Sequence, residues 1–355
     1  MSPHGLGHAT RVAAILQEIA RIFKKVDVLL FGETPKWFWE SNLPSNCSLA
    51  FHHLQTDIGF VQKGPFQHDA SQTLKDLHQF LAFSPYKQKE ILKIIESFQP
   101  ECILSDISPL GVEIGSKLSI PNILMENFTW DWIYQPFQEQ LYAYKNIIQK
   151  LAHTYSKASL RLQCHPFCKD IPEAKKLRPV FRAPSMSKNE VLEKLGFSEK
   201  QNYVLVTTGG ISMRHEIKSS TSQYKIVIPG LHPEMNRRGS SIIHLPMNSC
   251  IPFPDLVNAS TMVIGKAGYG TVSECWGMGI PFMGVFRDSF RESEILRVFC
   301  EKELKFREIT LPEFLDGSWS ELITELLKKQ SRPIAAKING AHDACVHILT
   351  HLGKV

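Results

Sequence analysis

Twice along the chain, runs that are apolar throughout alternate with stretches whose apolar residues recur at helical spacing. A strand with one wet face alternates polar and apolar residues. Continuous apolar runs therefore indicate strands covered on both faces, as in parallel sheets with helical crossovers. In the first half, VDVLLFGE (26–33), SLAFHHL (48–54), ECILSD (101–106), PNILMEN (121–127) and LRLQC (160–164) read as such strands, and helices are predicted over 9–23, 73–98 and 111–118. From 168 to about 189 the pattern lapses into CKDIPEAKKLRPVFRAPSMSKN, with three prolines and no sustained period. A second alternation follows, with a helix over 190–195 and strands at 203–210, 224–230, 240–246, 260–268 and 280–286. Between the last two lies a helix over 270–276, and C-terminal helices end near 352. This order predicts an α/β chain of two Rossmann-like domains, 1–168 and 190–355, joined by a linker at 169–189. A cleft between two such domains is a common ligand site.

Composition excludes several functions. Forty basic and 35 acidic residues leave a net charge of +5 with no long basic run, so nucleic-acid binding is not predicted, while a small polyanion would be tolerated. Eight cysteines without a C-x-x-C pair suit reduced thiols, so a cytoplasmic location is expected. No secretory leader is read and no apolar run reaches the roughly 18 residues of a membrane span; attachment to a membrane surface stays open. The CHPFC stretch (164–168) and His153 offer donor atoms, but their spacing matches no zinc pattern.

The densest motif is VIGKAGYGTVSECWGMGIPFMGVFRD (263–288). A buried strand runs into Gly265, Gly268 and Gly270, then into a helix opened by Thr271 and Ser273. Glycines allow close backbone approach to a ligand, and the unpaired amides of a helix N-terminus suit a phosphate. Lys266 adds a positive charge, and Glu274, one turn on, can accept hydrogen bonds from a sugar diol. An ordinarily capped strand-to-helix turn is the other reading. Gly209 and Gly210, directly after YVLV, form a second phosphate candidate at the end of a parallel strand, or a plain turn.

GKAGYGTVSE and the G-x-P that follows resemble the donor-binding element of GT-B glycosyltransferases, the families of the peptidoglycan lipid-intermediate transferase and the UDP-glucuronosyl and plant UDP-sugar transferases. Gly268, Gly270, Thr271, Ser273 and Glu274 match that element residue by residue, whereas Lys266 stands near the place of the plant signature's histidine. The acidic residue and glutamine that end the plant signature are not kept cleanly; Asp288, Arg291 or Glu292 would serve there. Near the start, PHGLGHATR resembles the families' N-terminal loop, in which a G-H pair follows the first strand. The resemblance makes His8 the general base that takes the acceptor hydroxyl proton, a task suited to imidazole at neutral pH. It makes Asp106, at the end of ECILSD, the group that orients it. Simple helix capping by both residues is the alternative.

GHATR, NFTWDWIY (127–134) and GKAGYGTVSE together resemble a group of bacterial transferase-like proteins and the N-terminal region of plant L-arabinokinase. In the second motif, Trp130 and Trp132 either stack on an acceptor or anchor the next helix, with Asn127 and Asp131 meeting hydroxyls. Gly5 and Gly7 would line the cleft, and Arg11 would either meet a phosphate there or lie exposed on its helix.

The expectation is a GT-B glycosyltransferase that moves a sugar from a nucleotide-sugar donor, UDP-linked by preference, to a small-molecule, glycan or lipid-linked acceptor with inversion. No D-x-D triplet occurs, so neither a metal nor a further cofactor is expected. The alternatives are a non-catalytic nucleotide-sugar-binding module and a non-hydrolysing UDP-sugar 2-epimerase. These families place an apolar strand directly before the G-H loop, where only Met1, Ser2 and Pro3 precede HGLGH. The first strand of the N-terminal domain is therefore expected to be missing and a central slot of its sheet unfilled, with a true start about 8–12 residues earlier.

Overall fold

The computed structural model of the protein describes residues 6–62, 67–81, 85–138, 142–209, 224–231, 241–328 and 339–355. The chain divides into two units: Met1–Lys63, His68–Val180 and Asn339–Val355 form the first, and Phe181–Ile338 forms most of the second.

Unit 1 begins with α1 (Gly7–Ile22), β1 (Val26–Gly32), α2 (Lys36–Asn42) and β2 (Cys47–His53). The antiparallel strands β3 (Val61–Gln62) and β4 (His68–Asp69) precede α3 (Ala70–Leu81) and α4 (Pro85–Phe98). Then come β5 (Ile103–Asp106), α5 (Pro109–Leu118), β6 (Asn122–Glu126), α6 (Trp130–Tyr134), α7 (Ala143–Tyr155), β7 (Leu160–Cys164) and β8 (Lys175–Leu177). Pro109 opens α5, where a missing N–H leaves no hydrogen bond unmade. Parallel pairing joins β1 to β2, and β5-β6-β7-β8 into a second parallel sheet; among the described residues no ladder links β1 to β5.

Unit 2 holds α8 (Lys188–Leu195), β9 (Tyr203–Thr207), β10 (Lys225–Leu231), β11 (Ile242–Pro246), α9 (Phe253–Ala259), β12 (Met262–Lys266), α10 (Tyr269–Met278) and β13 (Phe282–Val285). It continues through α11 (Glu292–Glu303), β14 (Phe306–Glu308), α12 (Leu311–Asp316) and α13 (Ser320–Lys328). A capping box between Ser187 and Glu190 starts α8, and Gly196 ends it. The six strands form one parallel sheet in the order β11-β10-β9-β12-β13-β14. Tyr203, Leu205 and Val263 pack into the core on one face, and Val204, Val206 and Ile264 into the core on the other. That two-sided burial is why these strands read as unbroken apolar runs. At Gly265 a Cβ would sit 1.9 Å from the carbonyl oxygen of Thr207, so the pairing of β9 with β12 requires glycine there.

Two expectations change, and the helix foreseen over 73–98 is seen as α3 and α4, with 82–84 outside the described residues. Within the stretch expected to be a linker, β8 pairs with β7. The last helix, α14 (Gly340–His351), belongs to unit 1 and packs on α1, so the first unit is built from both ends of the chain.

Candidate functional site

In unit 1 the carboxyl end of β5 meets the amino end of α1. Asp106 is the last residue of β5 and fully buried; His8 is the second residue of α1 and 9% exposed. His8 Nδ1 and Asp106 Oδ1 are 2.7 Å apart. With Nδ1–H donating to the carboxylate, Nε2 carries the lone pair that can accept a proton. Burial pushes the Asp106 carboxyl up, but the Arg11 guanidinium and His8 outweigh it and hold the group below its ordinary range.

The same carboxylate corrects the expectation for Arg11. Its side chain neither lines a cleft nor lies in solvent: it is 1% exposed, with Nε donating to Asp106 Oδ2 at 2.8 Å and Nη2 to Oδ1 at 2.6 Å. A planar fork matched to both carboxylate oxygens is the preferred geometry for such a buried pair. Asn127 is also corrected from cleft residue to buried support, since its Oδ1 accepts from Arg11 Nη1 and it is 1% exposed.

Of the two tryptophan readings, anchoring holds. Trp130 is 2% exposed, donates from Nε1 to Asp57 Oδ2 at 3.0 Å, and stacks on Tyr134 beside Phe60 and Phe128; Trp132 is buried too. No indole face of Trp130 is left for an acceptor. Asp131 is half-buried and lines a small cavity of about 150 Å³ with Glu126, Tyr155, Arg161 and Lys169; its Oδ1 has no hydrogen-bond partner among the described residues. Gly7 opens α1, and Gly5 lies outside the described residues.

In unit 2 the strand order fixes where a ligand belongs. From β9 the chain winds outward to β10 and β11, then returns to the other side of β9 for β12, β13 and β14. The switch point lies between β9 and β12, and such parallel sheets bind ligands at the carboxyl ends of the strands there. Thr207, Thr208 and Gly209 end one strand; Lys266 and Gly268 end the other. Gly209 has φ +71°, a left-handed conformation, and its N–H donates to Thr207 Oγ1 at 3.1 Å. Gly210 lies outside the described residues.

Gly268 is the N-cap of α10 and brings no capping side chain. The first intrahelical bond runs from Val272 N–H to the Gly268 carbonyl, so the amides of Tyr269, Gly270 and Thr271 have no acceptor within the helix. Ser273 is fully buried, and its Oγ has no hydrogen-bond partner among the described residues. Lys266 is 9% exposed and has no hydrogen-bond or ion-pair partner among the described residues. Burial, reinforced by the nearby charge of Arg287 and opposed by Glu292, lowers its ammonium to about 7. Glu292, 5% exposed, opens α11, while Asp288 is exposed.

Glu274 is 2% exposed, and its Oε1 accepts from Arg182 Nη2 at 2.9 Å and Nε at 3.2 Å. Burial raises its carboxyl above the ordinary value despite that pairing. Arg182 was not singled out: it lies in the expected linker, 92 positions from its partner, and no spacing rule connects them. Arg287 was also missed. It follows β13, its guanidinium lies 3.8 Å over the Phe290 ring, and its buried Nε has no hydrogen-bond partner among the described residues. The rule that points to Lys266, a basic residue at the carboxyl end of a parallel strand, would have found it.

A buried lysine with no ion-pair partner among the described residues is a cost that folding alone does not require. The Lys266→Met variant is therefore expected to melt at higher temperature than the parent at pH 7 and to bind nucleoside diphosphates about tenfold or more weakly. The sign follows from linkage. Between about 7 and the ordinary 10.5 the folded parent holds fewer protons than the unfolded chain, so its stability rises with pH across that window. The variant should lack this slope. Melting curves at pH 7 and pH 10, with calorimetric titration of UDP, check all three expectations.

The sequence model described as "Glycosyl transferase family 1" matches residues 1–303. L-arabinokinase of Arabidopsis thaliana is 26% identical over 337 residues, covering 89% of this chain and 30% of that protein. The chain thus spans under a third of that relative's length. UDP-N-acetylglucosamine--N-acetylmuramyl-(pentapeptide) pyrophosphoryl-undecaprenol N-acetylglucosamine transferase of Bacillus licheniformis is 22% identical over 294 residues, covering 78% of this chain and 74% of that one. A solved UDP-glucosyltransferase from Polygonum tinctorium superposes with a TM-score of 0.61 at 13% identity, over 99% of this chain and 97% of its own.

Proposed function

The chain belongs to glycosyl transferase family 1 and has the GT-B fold, and on that premise we propose that it moves a sugar from a nucleotide-sugar donor to an acceptor hydroxyl, without metal and with inversion. The observation that carries the reading is the buried His8–Asp106 pair at 2.7 Å. A module that only bound nucleotide-sugars would have no use for an imidazole oriented with one nitrogen poised to accept a proton.

In this mechanism Nε2 of His8 removes the acceptor's hydroxyl proton as its oxygen bonds to the anomeric carbon. The bond from that carbon to the diphosphate oxygen breaks, and its electron pair leaves with the nucleoside diphosphate. Attack opposite the leaving group inverts the centre. Unit 2 stabilises the departing charge with the amides of Gly270 and Thr271 at the start of α10, assisted by protonated Lys266. Fixed donors suit this task because they need no reorganisation as charge develops. Glu274, held by Arg182, accepts from the ribose diol. UDP is the preferred nucleotide, in keeping with the names of the Bacillus and Polygonum proteins.

One observation favours a second reading, a nucleotide-sugar-binding module: the chain matches only part of a sugar kinase. Thermal-shift screening against UDP-, GDP-, dTDP- and ADP-sugars separates the two, followed by product analysis with the donor that shifts melting. A glycoside product is expected with the winning donor. Binding without turnover over a broad acceptor set would favour the module, and no shift from any nucleotide would remove both readings.

A further inference from the structure

The cavity of about 150 Å³ in unit 1 is lined by charge of both signs. Glu126 ends β6, Asp131 lies in the first turn of α6, Arg161 stands on β7, and Lys169 follows in the connection to β8. Phe128, Ala152 and Ile171 supply an apolar wall. None of the residues assigned to the donor lines it, and neither do His8 and Asp106.

Each of the four charged groups has hydrogen-bonding capacity that the described residues leave unused. Glu126 is 1% exposed, and its bonds from Arg161 Nε and Gln163 Nε2 both end on Oε1, so Oε2 has no partner among the described residues. Asp131 Oδ1 is buried and equally without a partner among them. On the donor side, Arg161 engages Glu126 through Nε alone, which leaves both Nη groups, and the exposed Lys169 ammonium bonds to no described residue. Buried carboxylate oxygens without donors are costly. Burial, helped by the charge of Asp131, raises the Glu126 carboxyl despite its bond from Arg161.

The balance of charge selects the occupant. A bare cation would suit the carboxylates but be repelled by Arg161 and Lys169, and for a simple anion the signs reverse. A molecule carrying both an ammonium and a carboxylate satisfies both pairs at once through charge-assisted bonds. A single water needs only about 10–15 Å³, whereas a cavity of roughly this size admits a molecule as large as benzene.

We propose that this cavity between β6, α6 and β7 is a binding site for a small free α-amino acid. Its ammonium is held by Glu126 Oε2 and Asp131 Oδ1, its carboxylate by the Arg161 Nη groups and Lys169, and its short side chain by Phe128 and Ile171. Phe128 also meets the His8 ring edge-on, with 6.1 Å between centroids, so the site lies one side chain away from His8.

Calorimetric titration of the full chain with L-alanine, L-valine and L-threonine tests the proposal. Isobutylamine and isobutyrate serve as probes that each lack one charge, and magnesium chloride as a bare cation. At least one amino acid is expected to bind with a Kd of about 1 mM or tighter, and the probes with one charge about tenfold or more weakly. Asp131→Asn and Lys169→Ala should each weaken amino-acid binding about tenfold. Lys169 is exposed, so Lys169→Ala should melt with the parent and carries the test if Asp131→Asn does not fold. Three results would overturn the proposal: no amino acid binding up to about 50 mM, binding that Lys169→Ala leaves unchanged, or isobutylamine binding as tightly as the amino acids. Magnesium binding lost in Asp131→Asn, without amino-acid binding, would overturn it in favour of a cation site. None of these readouts involves glycosyl transfer, so the outcome is independent of that reading.

Discussion

Replacement of His8 by alanine is expected to lower kcat/KM for glycosyl transfer by about 10²–10⁴-fold, the range typical for loss of a positioned general base. The Kd for the nucleotide-sugar should stay unchanged, because the residues assigned to the donor lie in unit 2 and His8 in unit 1. His8→Gln sharpens the experiment: its amide can still donate to Asp106, so the buried carboxylate keeps a partner, yet it cannot act as a base. If alanine and glutamine both abolish transfer and retain donor binding, the role of His8 is chemical. If glutamine restores the rate, the residue only positions its neighbours. If neither change slows transfer, the proton goes elsewhere and the base assignment is wrong.

The parts of the fold legible in the sequence are those in which one physical cause dominates. Strands β9 and β12 are covered on both faces, so each residue of MVIGK and YVLVT is buried and the runs stand out. Strand β8 was not legible: Lys175 and Lys176 are exposed, and a short edge strand needs no apolar pattern. Nor could periodicity show that α14 returns to unit 1, since an amphipathic face does not name the core it covers.

The candidate site divides in the same way. His8 and Asp106 lie 98 positions apart, and only resemblance to known enzymes brought them together. Arg11 was misjudged because an arginine on a helix is normally solvated; its burial depends on a carboxylate 95 positions away. Trp130 reads as a stacking platform only while Asp57 goes unnoticed, and Asp57 belongs to no motif. Long-range partners of buried polar groups are what local sequence cannot reveal, and here they decide which polar residues are support and which are free to react.

Asp106→Asn tests that support, and its expected effect on stability is the largest of any single change. Asp106 is fully buried and Arg11 is 1% exposed, so the substitution takes from a buried guanidinium the carboxylate that it bonds through Nε and Nη2. Breaking such a pair from one side costs about 3–5 kcal/mol, a large part of the 5–15 kcal/mol typical of a folded domain. Arg11→Met on the same background should recover part of the loss, because it removes the stranded charge; denaturant midpoints of the two single variants and the double variant measure the coupling. The pH dependence has a definite sign. The folded carboxyl sits below its ordinary 3.8, so its contribution is present above that value and is lost only as pH falls further. The gap between parent and Asp106→Asn should therefore hold steady from pH 7 to about 4 and narrow below it. A loss under about 1 kcal/mol at pH 7, or no recovery in the double variant, would mean that Arg11 finds another partner and that the carboxylate is not what ties α1 to β5.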